Sequence, residues 1–411
     1  MNSTTSPNPT FALWALAISA FAIGTTEFII VGLLPSIAAD LNISLTLTGL
    51  LISGYALGVA VGAPVLTSLT SRMSRKALLL MVMLVFIAGN AVAALAVNFG
   101  MLMLGRIISA FAHGVFFSIG STIAADLVPP DKRASAIALV FTGLTIALIT
   151  GVPLGTFIGQ NWGWRATFCG ITALGLIAFA ANAVLVPKHL KKAPPAALRD
   201  QIKVLTNGRL LLAFAITALG YGGTFVTFTY LAPILQNITG FAPGATSVLM
   251  LVYGLAIAIG NTLGGKFSNR NPIQALIAMF ALQGLILVIF SFTAPFKIPA
   301  VVTIFAMGAL AFMNVPGLQL YVVQLAERFV PTGVDVASAI NISAFNLGIA
   351  LGAFVGGIVF DTLGLIHTPW IGGLMVGGAV LLSVWSRNMD RAETENAKGE
   401  TAADNLLGNL E

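Results

Sequence analysis

The chain has 411 residues, of which 57% are hydrophobic and only 8% charged, against about 25% charged in an ordinary soluble domain; its mean hydropathy is +0.97. That balance excludes a soluble globular protein and defines an integral membrane protein. A single cysteine, Cys169, excludes an intramolecular disulfide framework and a cysteine-based metal site.

Mainly apolar runs long enough to cross a bilayer occur at 11–37, 47–69, 77–97, 101–127, 134–159, 166–187, 210–235, 245–266, 273–294, 299–324, 337–361 and 368–386. They are too long and too uniformly apolar for barrel strands, so the expected fold class is all-α, with twelve transmembrane helices. Residues Met1 to Thr10 carry no Lys or Arg, and the first apolar run exceeds a signal-peptide core, so that span is expected to stay in the mature chain.

With twelve spans both termini share a side. The connections on that side hold seventeen of the twenty Lys and Arg residues, the opposite side only Arg165 and Lys297, and Arg106 lies inside a span. Short cytoplasmic loops retain basic residues, so both termini are expected in the cytoplasm. The formal charge of +6 is then a by-product of insertion topology, and the expected surroundings are a lipid bilayer with no nucleic-acid partner.

Within the first span the run is interrupted by Gly24-Thr25-Thr26-Glu27-Phe28. An ionised acid at the middle of a span costs roughly 2.5–3.5 kcal/mol on insertion scales, so such a residue faces a bundle interior or a wet cavity and is a candidate proton carrier. The fourth span adds Arg106 and His113, two turns apart on one helix face. At 1.5 Å rise per residue, Glu27 lies about 15 Å from its end of the membrane, Arg106 roughly 8 Å and His113 roughly 18 Å. Glu27, Arg106 and His113 are therefore the expected proton-coupling group. A structural hydrogen bond at Glu27, a snorkelling Arg106 and a packing His113 are the alternatives.

Lys188 to Arg209, with Pro194-Pro195 and six basic residues, divides the spans six and six. The expected units are an N-terminal bundle over 1–187, a cytoplasmic linker over 188–209, a C-terminal bundle over 210–387 and a disordered cytoplasmic tail over 388–411. Sliding the second half back by 198 residues aligns Leu33–Arg72 with Leu231–Arg270 without a gap, matching Pro35 with Pro233, Tyr55 with Tyr253, Gly62 with Gly260 and Arg72 with Arg270. Ala134-Ser-Ala-Ile137 recurs as Ala337-Ser-Ala-Ile340. Two repeated halves of like topology, with a site between them, make a transporter that opens to either face.

On these residues the chain resembles the major facilitator superfamily, and within it the twelve-span drug:proton antiporter-1 group, near bacterial exporters of arabinose-type sugars and nucleosides. The resemblance rests on the Gly24–Phe28 motif, the loop Leu69-Thr-Ser-Arg72-Met-Ser-Arg75-Lys76, Arg106, Gly151-Val-Pro153-Leu-Gly155, Trp164-Arg165, and Asn341 to Gly352. It implies a monomer in the bacterial inner membrane that exports a sugar, nucleoside or drug-like solute in exchange for protons, with no cofactor or metal and no enzymatic activity. A proton-independent facilitator and a non-transporting sensor are the competing readings. The superfamily's usual acid is replaced here by Ser71 and, in the second half, by Asn269, so the gate built on Arg72, Arg75 and Arg270 is expected to be reduced to its basic members.

Glycines at 151, 155 and 159, beside Pro153, and at 348, 352 and 356 suggest close helix packing, in this family across the halves against Gly58-xxx-Gly62 and Gly260-xxx-Gly264. Tyr221, Tyr230, Tyr253, Asn314, Gln319, Asn341 and Asn346 are the substrate-binding candidates, since amides pair with hydroxyls and aromatic rings give a stacking face; interhelical hydrogen bonds are the alternative. Gly260 to Phe267 imitates a phosphate-binding loop but lacks its Ser/Thr and follows no strand, so no nucleotide hydrolysis is expected.

Overall fold

The computed structural model describes residues 9–43, 45–70, 72–187, 190 and 198–408. Ser71, Pro194-Pro195 and the first basic residues of the linker lie outside them. The described residues form helices α1 (Pro9–Leu41), α2 (Leu45–Leu69), α3 (Arg75–Ala94), α4 (Phe99–Asp126), α5 (Arg133–Ile146), α6 (Val152–Trp162), α7 (Trp164–Leu185) and α8 (Leu198–Thr206). The second half continues with α9 (Gly208–Phe228), α10 (Leu231–Asn237), α11 (Pro243–Ser268), α12 (Pro272–Thr293), α13 (Lys297–Ala311), α14 (Val315–Phe329), α15 (Val334–Thr362) and α16 (Thr368–Gly408). Among the described residues, twelve segments are long and apolar enough to cross a membrane. Large apolar side chains such as Leu57, Val184, Phe292 and Leu381 are 65–76% exposed, which is tolerable only where the surrounding solvent is lipid.

Helix starts follow ordinary capping chemistry. Asn98 Oδ1 accepts from Met101 N at 2.9 Å, Asn207 Oδ1 from Arg209 N and Leu210 N, and Asn271 Oδ1 from Gln274 N at 3.2 Å, each satisfying first-turn donors at a membrane boundary. Three expected spans are interrupted, each beside a proline. The fifth is divided by a π-turn at Ala147–Gly151 before Pro153, the seventh parts at Thr229-Tyr230 before Pro233, and the tenth at Phe312 to Asn314 before Pro316. A proline offers no N–H to the carbonyl four residues back and crowds it; Tyr230 N and Val315 N instead bond Thr227 O and Phe312 O in tighter turns.

One expectation differs from the structure. The segment 388–408, expected to be disordered, continues α16 to Gly408, in keeping with the high helix propensity of its Ala, Glu, Lys and Leu residues. The linker contains the nine-residue α8, with Val204 fully buried.

In the first half α4 packs on α2 and α3, and α1 on α5 and α7; in the second, α9 is held between α15 and α16. Across the halves α5 meets α11 and α14, while α15 meets α2 and α4. The glycine stripes do not form that seam. A Cβ at Gly151, Gly155 or Gly159 would meet Thr25, Ile29 or Leu33 of α1; one at Gly348, Gly352 or Gly356 would meet α9 or the following Tyr230; Gly58 and Gly62 abut α4, and Gly260 and Gly264 abut Ala309 and Met313. Glycine is needed where two backbones approach most closely, and the closest approaches lie inside each half.

Candidate functional site

Glu27 stands in the middle of α1 with a carboxylate 17% exposed into the space between the halves. The fourth-span residues reach it from α4 in two ways. His113 Nδ1 lies 3.8 Å from Glu27 Oε2 and 3.2 Å from Tyr55 Oη. Arg106, almost wholly buried, does not meet the carboxylate: Nη1 donates to Thr26 O and Nη2 to Glu27 O at 3.4 Å. Its guanidinium sits 4.1 Å from the centroid of the Tyr55 ring, a cation–π contact. Thr26 Oγ1 donates to Asn90 Oδ1 at 2.5 Å, and Asn90 Nδ2 in turn to Ser109 Oγ at 3.3 Å. The turn that carries Glu27 is thus held from behind by Arg106 and Asn90, while its carboxylate is left to His113 and the cavity.

That cavity has a volume of about 60 Å³, room for a few waters and far less than a sugar ring needs. Glu27 supplies its carboxylate and His113 its imidazole, and its wall is aromatic: Phe117 and Phe141 from the first half, Phe225, Phe312, Phe345 and Tyr221 from the second. Tyr221 contacts Phe345, Phe312 and Phe225 edge-on or tilted, with centroids 5.0–5.4 Å apart. Of the seven substrate-binding candidates the structure brings Tyr221 and Asn346 to this wall. The others are engaged elsewhere. Asn341 Nδ2 donates to Gln319 Oε1 at 2.8 Å, Thr217 Oγ1 to Asn341 Oδ1 at 2.7 Å, and Gln319 Nε2 to Ser338 Oγ at 2.5 Å. Asn314 Nδ2 donates to Gln283 Oε1 at 2.8 Å, Tyr230 Oη to Ala353 O at 3.3 Å, and Tyr253 stacks on Phe228. Buried amides satisfy one another first because an unpaired one is costly away from water. The phenylalanines, which carry most of this wall, were not among the candidates.

Below the cavity, toward the linker end, the halves are bonded together. Arg75 pairs with Asp126 of α4 and, at 2.9 Å, with Asp335 of α15; Arg133 pairs with Glu327 at 3.0 Å. Ser118 Oγ donates to Asp335 O at 2.8 Å and Ser338 Oγ to Ser118 O at 2.9 Å. Asn269 and Ser135 exchange two hydrogen bonds, of 2.7 and 3.1 Å. The expectation of a gate stripped to its basic members is therefore corrected: Asp126, Asp335 and Glu327 supply the acids from other helices. Arg75 is its hub, whereas Arg72 and Arg270 are exposed.

Two six-helix halves of repeated sequence, closing on a shared central cavity and sealed at one end by ion pairs, form the architecture of an alternating-access membrane transporter. The chain belongs to the Major Facilitator Superfamily, whose profile matches residues 16–332. It is 64% identical over 386 residues to YtbD, an MFS-type transporter of Bacillus subtilis (strain 168), covering 94% of this chain and 98% of that one. It is 40% identical over 373 residues to the inner membrane transport protein YdhP of Escherichia coli (strain K12), covering 90% and 95%. Among solved structures it matches the fucose:proton symporter FucP of E. coli with a TM-score of 0.76 over 92% of this chain and 99% of that one, at 15% identity, a likeness of fold.

Proposed function

We propose that the protein is a proton-coupled antiporter of the bacterial inner membrane, with both termini cytoplasmic, which exports a small solute. The observation that carries this reading is the Glu27–His113 pair on the wall of the cavity between the halves. Glu27 exchanges the proton, His113 faces its ionised form, and Arg106 fixes the turn that presents it. Solute and proton then act on one space, so that occupancy by either biases which face the halves open to.

Of the three solute classes, sugar, nucleoside and drug-like, the wall supports a drug-like solute with an aromatic or apolar face. Phe117, Phe141, Phe225, Phe312, Phe345 and Tyr221 offer rings, whereas a sugar needs convergent hydroxyl partners, and most of the amides are occupied by one another. At about 60 Å³ the cavity has room only for water-sized molecules, so solute entry requires the halves to part.

The test is transport by purified protein in proteoliposomes under an imposed pH gradient, screening sugars, nucleosides and aromatic drugs. Uphill movement of an aromatic solute against the proton flow supports the reading. Movement in the same direction as protons, or flux indifferent to the gradient, overturns it.

A further inference from the structure

The second half carries a cleft that the transport cavity does not use. At the linker end, between α12, α14 and α16, a cleft of about 570 Å³ is lined by Arg270, Arg387 and Arg391 together with Asn271, Gln274 and Gln324. Asp390 lines it too, but its carboxylate is taken by Arg209 and accepts from Tyr321 Oη at 3.2 Å. No ion pair joins the three arginines to another described residue, and Arg387 Nε is buried without a hydrogen-bond partner. α12, 22 residues long, starts in the cleft at Pro272 and Ile273, adding the positive end of its dipole. The cleft is therefore built for negative charge.

From the shared residues Arg270, Asn271 and Gln274 a groove of about 450 Å³ continues along the span, walled by Phe267, Ala275, Ala278, Met279, Leu282 and Met313. Phe267 and Leu282 are 59% and 54% exposed, so this groove opens toward the bilayer. A basic mouth at a membrane boundary that leads into an apolar trough has the two-part chemistry of one lipid. We infer that this surface binds an anionic phospholipid of the surrounding leaflet, its phosphate among Arg270, Arg387 and Arg391 and an acyl chain along Ala278 and Leu282. A soluble phosphate would use only the cleft; a zwitterionic lipid has the same phosphate but sets its cationic ammonium beside three arginines, and so gains less.

The experiment is native mass spectrometry of the purified full-length protein titrated with phosphatidylglycerol, phosphatidylcholine or inorganic phosphate. Phosphatidylglycerol is expected to bind about tenfold or more tightly than phosphatidylcholine, and the R270Q/R391Q variant to lose about that factor. Ala278→Phe, which fills the groove and leaves every charge in place, is expected to weaken phosphatidylglycerol as well and serves even if the arginine variant fails to fold. Arg72→Gln, the exposed repeat counterpart of Arg270, is expected to change nothing. Equal binding of the two lipids, unaltered binding by R270Q/R391Q, or displacement of phosphatidylglycerol by phosphate with Ala278→Phe without effect overturns the inference.

Discussion

His113 Nδ1 lies 3.8 Å from the Glu27 carboxylate, whereas Arg106 bonds the main-chain carbonyls of Thr26 and Glu27. The two cationic candidates of α4 thus hold different parts of one residue. His113 faces the group that can change its charge, and Arg106 braces the backbone that carries it.

This division makes Arg106→Lys a structural lesion. Lysine lacks the planar fork that spans two carbonyls and stacks on Tyr55. Hydrogen bonds to a charged donor contribute about 1.5–3 kcal/mol, so Arg106→Lys is expected to lower thermal stability measurably in detergent, while His113→Gln leaves the melting temperature close to that of the parent. Equal melting temperatures for Arg106→Lys and the parent would remove the bracing role.

The linker-end gate predicts a population shift. Asp335→Asn takes the charge from one partner of Arg75, an interaction worth about 1.5–3 kcal/mol and hence roughly tenfold or more in the ratio of closed to open gate. Spin labels at Arg72→Cys and Arg328→Cys, with the exposed Cys169 changed to Ser, should report a longer distance population in Asp335→Asn. An unchanged distance distribution would show that the gate is held by other contacts.

Glycine substitutions separate contact from open space. A Cβ at Gly260 would lie 1.6 Å from Ala309 O, so Gly260→Ala should cost about 1–3 kcal/mol through overpacking. Gly170 lies inside α7, with nothing within 4 Å of an added Cβ, and Gly170→Ala should stabilise by roughly 0.5–1 kcal/mol. Thermal unfolding of the two variants checks the opposite signs.

At the far end of the first half Arg165 donates to Asp40 Oδ2 at 2.6 Å and Trp164 Nε1 to the same oxygen at 3.1 Å. The Arg165 hydrogen bond, followed by that of Trp164, holds the Asp40 carboxyl below its ordinary range. A lowered folded value gives stability that is present above the ordinary carboxylate value of about 3.9 and lost as pH falls through the folded one. Acid unfolding of the parent should therefore show a stability loss below about pH 4 that Asp40→Asn lacks; superimposable pH profiles would contradict it.

The spans, their number and the sequence repeat were legible because bilayer thickness and chain duplication write themselves into hydropathy and spacing. Glu27 was legible because an acid in an apolar run is conspicuous. Asp126, Asp335 and Glu327 were not, since each sits at the edge of an apolar segment where a charge is unremarkable, and only the fold brings them to Arg75 and Arg133. Asn341 and Gln319 resembled ligand groups in sequence, but across helices each supplies what the other lacks. Phe117, Phe312 and Phe345 carried no signal, because a phenylalanine that packs and one that lines a cavity look alike until the second half is placed against the first.

The most direct test of proton coupling at Glu27 compares the parent and Glu27→Gln in the same proteoliposomes, once a transported solute is in hand. The variant is predicted to retain solute-for-solute exchange while losing uphill transport driven by a pH gradient. Uphill transport by Glu27→Gln at the parental rate would contradict the account.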